Sequence, residues 1–145
     1  MPMITISRID GPAATFSAEL ILRITTGLIS PVRGKKTPKT EVTIDDPEPI
    51  IHTDESIAAV LAKIGNSAPL VKLTAPDGRT IVVNAKRVSD VREPDPFDLE
   101  GVPGPVPVKP IEARCQFFVG QYRHMVKETL AEVKHAVAQA LAPKS

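Results

Sequence analysis

The side chains able to do chemistry are few and scattered in this 145-residue chain. Nucleophilic catalysis needs a nucleophile, a base and an orienting group brought together. The single cysteine, Cys115, sits in Ala-Arg-Cys-Gln-Phe-Phe-Val, a strand-like apolar stretch, and reads as a buried structural thiol. The histidines are His52, His124 and His135, and all three are expected on the surface. Asp45, Asp46, Glu48, His52, Asp54 and Glu55 form an acidic run, but its spacing fits neither an EF-hand loop nor a zinc motif. Asp54 and Glu55 instead suit the positive end of the helix that follows. No Walker A and no G-x-G-x-x-G pattern occurs. Asp10 and Asp77 both stand in Asp-Gly corners, where turn chemistry accounts for them. The chain is therefore expected to carry no catalytic residue, metal ligand or cofactor.

Composition narrows the classes further. Eighteen basic and 17 acidic residues leave a formal charge of +1, too balanced for a general nucleic-acid coat. One cysteine permits no internal disulfide. Apolar residues make up 42% and aromatics 3%, so the core is expected to be aliphatic. Met-Pro-Met-Ile-Thr-Ile lacks the basic and apolar regions of a secretory signal, and no apolar run is long enough to cross a membrane. The expected location is the cytoplasm or a virion.

The elements that must position any site come in two sets. With Asp10-Gly11 laid over Asp77-Gly78, Ile4 falls on Val71, Ile6 on Leu73, Phe16 on Val83, Ile21 on Val88 and Ile24 on Val91. Farther on, Glu55-Ser56 falls on Glu128-Thr129, Ile57 on Leu130, Val60 on Val133 and Ile64 on Val137. The apolar register survives on both sides of a variable loop, which predicts a tandem duplication. Each half holds five strand-like alternations and a helix. The strands are predicted at 3–9, 13–17, 19–25, 40–44 and 49–53, then at 70–76, 80–84, 86–92, 113–119 and 122–126. Ile57, Val60, Leu61 and Ile64 form one helical stripe; Leu130, Val133, Val137 and Leu141 form the other. Thr129 and Glu132 fit a capping box. Ser17 and Asn84 coincide as small polar residues able to bond the local backbone at a strand-to-strand corner.

The predicted fold class is α+β. Two small antiparallel β-sheet units, residues 1–65 and 66–145, are each closed by a C-terminal helix. A lone unit of this size would be marginal, so the two are expected to pack as a pseudo-twofold body.

The unit itself resembles a known pattern. A strand ending in Asp77-Gly78, then Val83-Asn84-Ala85, Val88 and Val91, then Val126-Lys127-Glu128-Thr129 opening a valine-spaced helix, resembles the FlbD/SwrD family of small flagellar-motility proteins. In the first half the likeness is carried by Ile4, Ile6, Asp10-Gly11, Ser17-Ala18, Ile21, Ile24 and Glu55-Ser56. The resemblance implies a small non-enzymatic protein associated with motor function, and it supplies no catalytic residues. This chain departs from it by doubling the unit and lengthening one loop in each copy.

Those loops are where partner contacts are expected. Loop 25–39 carries Arg33, Lys35, Lys36 and Lys39 with no acid. Loop 93–110 begins acidic and turns proline-rich, with Pro96, Phe97, Leu99, Val102, Pro103, Pro105 and Val106 as the expected docking residues. Alternate prolines favour an extended, ladder-free backbone. The reading is a structural or assembly protein that holds neighbouring protein subunits, in the setting of a phage particle. The alternatives are a flagellar-motor accessory and a weak nucleic-acid module built on the basic loop. No membrane partner is expected.

Overall fold

Short β-branched alternations dominate the chain, and they become strands. The computed structural model describes residues 3–9, 11–26, 39–47, 49–76, 78–94 and 113–142. The first half runs β1 (Met3–Ile6), β2 (Ala14–Ser17), a 3-10 turn (Ala18–Leu20), β3 (Ile21–Thr26), β4 (Thr40–Ile44), β5 (Ile50–Thr53) and α1 (Ile57–Ile64). The second runs β6 (Leu70–Thr74), β7 (Thr80–Asn84), a 3-10 turn (Ala85–Arg87), β8 (Val88–Arg92), β9 (Cys115–Val119), β10 (Tyr122–Val126) and α2 (Leu130–Leu141). The class is α+β, and every strand pairing is antiparallel among the described residues.

The ladders of the two halves share their registers. Ile4 faces Phe16 across β1 and β2, and Val71 faces Val83 across β6 and β7. Ile21 faces Ile44 across β3 and β4, and Val88 faces Val119 across β8 and β9. Thr40 faces Thr53, and Cys115 faces Val126. Both the β3/β4 and the β8/β9 ladders carry a bulge near their start.

Local chemistry also recurs. Ser17 Oγ accepts from the Glu19 N–H (3.4 Å) and Asn84 Oδ1 from the Lys86 N–H (3.1 Å), each turning the chain into its 3-10 corner. A carboxylate ties each helix start to the end of the half's first strand. Glu55 accepts from Ser7 N–H and Oγ (2.8 and 3.1 Å), and Glu128 from Thr74 N–H and Oγ1 (2.9 and 3.0 Å). Ser56 caps α1 through the Ala59 N–H, and Thr129 with Glu132 forms the expected capping box on α2. Gly78 holds φ +93°, a conformation open to glycine at little cost, and its N–H closes the turn on the Ala75 carbonyl (2.9 Å).

The halves meet differently from how they are built. β3 keeps β4 on one side and pairs on its other side with β7 of the second half, Ile24 facing Val82. The result is one five-stranded sheet, β5-β4-β3-β7-β6, flanked by a β1-β2 ribbon and a β10-β9-β8 sheet. Side chains alternate across strands, so the central sheet has a core on each face. Ile21, Ile24, Val42 and Val82 join Ile4, Ile6, Phe16, Val60 and Ile64 on one side. Leu22, Val71, Leu73, Ile81 and Val83 join Cys115, Phe117, Val119, Val126 and Val133 on the other. Both cores are largely aliphatic, as composition requires, and each fully buried Ile or Leu stabilises by about 1.5–3 kcal/mol. The α2 stripe stops short of its predicted end: Leu141 is 47% exposed.

Candidate functional site

The predicted docking residues fall almost wholly in the two long loops. Arg33, Lys35, Lys36, Pro96, Phe97, Leu99, Val102, Pro103, Pro105 and Val106 lie outside the described residues. Lys39 is described: it is exposed just before β4, and its N–H donates to the Thr53 carbonyl (3.0 Å). Arg114 stands in the matching place before β9, its N–H donating to the Val126 carbonyl (2.9 Å).

Two of the three histidines are not on the surface as expected. His52 and His124 are 9% and 7% exposed, and only His135, on α2, is exposed. The reason is the sheet packing. β5 and β10 each present a histidine inward, and an arginine waits on the central strand. Arg23 is 5% exposed on β3, between Thr43 of β4 and Val83 of β7. Its Nε donates to Thr43 Oγ1 (3.0 Å), Nη1 donates to His124 Nε2 (2.8 Å), and the guanidinium carbon lies 4.2 Å from the centre of the Tyr122 ring.

That geometry sets the charges. A guanidinium only donates, so His124 Nε2 accepts and the ring carries its proton on Nδ1. Burial, reinforced by the Arg23 charge, pushes the His124 pKa down to about 4, so the ring is neutral near pH 7. Burial also lowers Arg23, and the Glu41 carboxylate on the neighbouring strand works against that shift. Glu41 is itself fully buried, facing Thr25 on β3 and His52 on β5, with His52 Nε2 3.8 Å from its Oε1. A polar seam thus joins the central sheet to β10. Its hydroxyl, imidazole and ring contacts converge on one cation, an arrangement that fixes two sheets against each other.

Cys115 is buried as expected, and burial pushes its thiol pKa up, away from nucleophilic thiolate. Among the described residues no cluster of three or more His, Cys, Asp or Glu can hold a metal ion. None of the described helices is long and apolar enough to cross a membrane.

Two concavities border the seam. One, about 470 Å³, lies where Arg87 crosses between the halves. There Nη2 donates to the Glu19 carbonyl (2.7 Å) and Nη1 to the Asp45 carboxylate (3.1 Å). The other, about 290 Å³, opens beside Arg23, Arg79 and Arg123. Composition and motif offered no route to the seam. Its one trace in the sequence is Arg23 interrupting the apolar run Ile21-Leu22-Arg23-Ile24.

No family model, curated protein or solved structure matches the chain. Function is therefore read from the molecule's own geometry.

Proposed function

We propose that this chain is a non-enzymatic assembly protein, a duplicated β-rich body that docks on neighbouring subunits through its two long loops, and that it belongs to a phage or phage-like particle. One observation carries the reading. Both loops leave the body at the same point of the repeated order, between the third and fourth strands of each half. Residues 27–39 and 93–114 join strands that are antiparallel neighbours. Such neighbours need only about 2–5 linking residues. Length far beyond connection is a sign of use. The chemistry of the two segments also differs, basic and acid-free in one, acidic then proline-rich in the other, which suits two kinds of contact.

Duplication underlies this reading. It is supported by the matching registers, by the paired Ser17/Asn84 corners, and by the paired Glu55 and Glu128 ties. We read the β3–β7 ladder as the contact that joins the two copies, although no matching β8–β2 ladder forms among the described residues. Deleting residues 95–108 is expected to leave a soluble, folded protein that fails to enter its assembly. Normal incorporation of that variant, followed by co-sedimentation with the particle, would sink the proposal.

A flagellar-motor accessory is the second reading. It is favoured by the likeness of each unit to the FlbD/SwrD pattern, in which Val126-Lys127-Glu128-Thr129 opens the second helix. Neighbouring genes separate the two: capsid and portal genes for the first, flagellar genes for the second.

A further inference from the structure

One row of side chains in the central sheet is buried with hydrogen-bonding capacity unspent. Thr25 of β3 faces Glu41 of β4, and Glu41 faces His52 of β5. Directly opposed residues point to one side of a sheet, their Cβ atoms about 4.5–5.5 Å apart. The three side chains therefore stand in line, and none is more than 9% exposed. His52 Nε2 and Thr25 Oγ1 are shut off from solvent and have no hydrogen-bond partner among the described residues. Glu41 has further interactions of its own, so the unmet atoms that matter are those of His52 and Thr25. Nε2 stands 3.8 Å from Glu41 Oε1, beyond the reach of a direct bond.

Buried polar atoms left without a bond are rare, because each forfeits what it made with water in the unfolded chain. The 3.8 Å separation suits one small bridging group. A metal ion fits poorly. His52 and Glu41 are only two strong ligands, and no third His, Cys, Asp or Glu joins them among the described residues, too few for a structural zinc site. The second half supplies a contrast. There Arg92 faces Gln116 and Gln116 faces Met125, in the places of Thr25, Glu41 and His52. Gln116 Oε1 is also buried without a bond, but Met125 offers it no donor and exposed Arg92 is engaged by Asp90. That half pairs its strands without the polar row, so strand pairing alone does not require Thr25 and His52.

We propose that the row binds one internal water molecule. The water accepts from His52 Nε2–H, donates to Glu41 Oε1 and shares a bond with Thr25 Oγ1. About three partners is usual for a buried water. Through it the polar seam continues past Arg23 and Glu41 to the outer strand β5. The site belongs to the body and stands whatever the long loops bind.

The test uses the full chain in solution. Water-to-protein NOE and ROE spectra report contacts at the His52 ring protons and the Thr25 methyl, and water oxygen-17 relaxation dispersion counts long-lived internal waters. Contacts of the sign given by a long-lived water are expected at both residues, unchanged by EDTA. Thr25→Val/His52→Leu leaves the water one partner in the row. Its melting temperature reports whether it folds; if folded, it should hold one long-lived water fewer than the parent. If it does not fold, the parent spectra decide alone. A folded parent with no water contact at either residue overturns the site. So does a shift of the His52 ring signals on adding EDTA, which would place a metal ion in the row, or a folded double variant with the parent's water count.

Discussion

β3 and β8 occupy the same place in the two halves, yet they live in different surroundings. β3 lies in the middle of a five-stranded sheet, paired on both sides. β8 is the edge of a three-stranded one. Ile21 and Ile24 are fully buried, whereas their counterparts Val88 and Val91 are half-buried. Arg23 is the buried cation of the seam, and its counterpart Asp90 sits exposed on a bulge at φ +53°. Local sequence built both strands alike. The difference comes from a single long-range event, the capture of β3 by β7. One strand became a keystone, and the other became an edge blunted by a bulge and by the Asp90–Arg92 ion pair.

The sharpest way to break this contrast is to remove the keystone. Arg23→Ala strips the guanidinium from Thr43, His124 and Tyr122 and leaves the buried Glu41 without that charge beside it. Removing one partner of a buried charge set costs about 3–5 kcal/mol. Urea unfolding should show a loss of that size, while Asp90→Ala, at the counterpart position, should stay within about 1 kcal/mol. Equal losses at the two positions would mean that β3 holds no special place.

Acid should find the same seam. His124 has its pKa lowered to about 4 in the fold, against about 6.5 for an unperturbed histidine. Above pH 6.5 both states are neutral and the full stability is present. Below it the unfolded chain takes up a proton that the native ring refuses, so stability falls with pH until about pH 4 and then levels. The loss from this one group is up to about 3 kcal/mol. Urea midpoints measured between pH 7 and pH 4 should fall in this window, and His124→Gln should flatten that part of the slope. A slope unchanged by the substitution would remove His124 from the account.

Where the halves are alike, their variants should behave alike. Glu55→Gln and Glu128→Gln each weaken two hydrogen bonds that tie a helix start to a strand end, and each should cost about 1–2 kcal/mol. Burial raises the Glu55 pKa, but the Lys63 ammonium 2.6 Å away and the Ser7 bonds outweigh it and hold the carboxyl below the usual range. Lys63 has no counterpart bond at Glu128 among the described residues, so Glu55→Gln should be the costlier by a few tenths of a kcal/mol. Thermal melts of both variants check this. A large cost at one site and none at the other would separate the halves that the registers join.

Much of the body was legible in the sequence. Period-two alternation located the strands to within two residues at each end, except that the first, expected at 3–9, ends three residues earlier at Ile6. The Asp-Gly corner, the Thr129–Glu132 box and the two helical stripes were readable because each rests on contacts a few residues apart. The seam was not, because Arg23 and His124 are 101 residues apart and meet only through the packing of two sheets. Periodicity tells which side of a strand is apolar; it does not tell which sheet will face it. The same limit hid the burial of His52 and His124. Of the expected docking residues, only Lys39 falls among the described residues.

The smallest effect probes the edge itself. Asp90 is the one non-glycine residue at positive φ among the described residues. That region costs an ordinary L residue about 1 kcal/mol and glycine almost nothing. Its side chain is exposed and pairs only with the equally exposed Arg92, a contact worth little in water. Asp90→Gly should therefore relieve the backbone without loss of packing, although glycine's greater freedom in the unfolded chain offsets part of the gain. The expected net is a stabilisation of up to about 0.5 kcal/mol, read as a small rise in the urea midpoint with an unchanged m-value. A loss above about 1 kcal/mol would show that the bulge is held by Asp90 itself, and that β8 is shaped by its own side chains as firmly as β3 is by its neighbours.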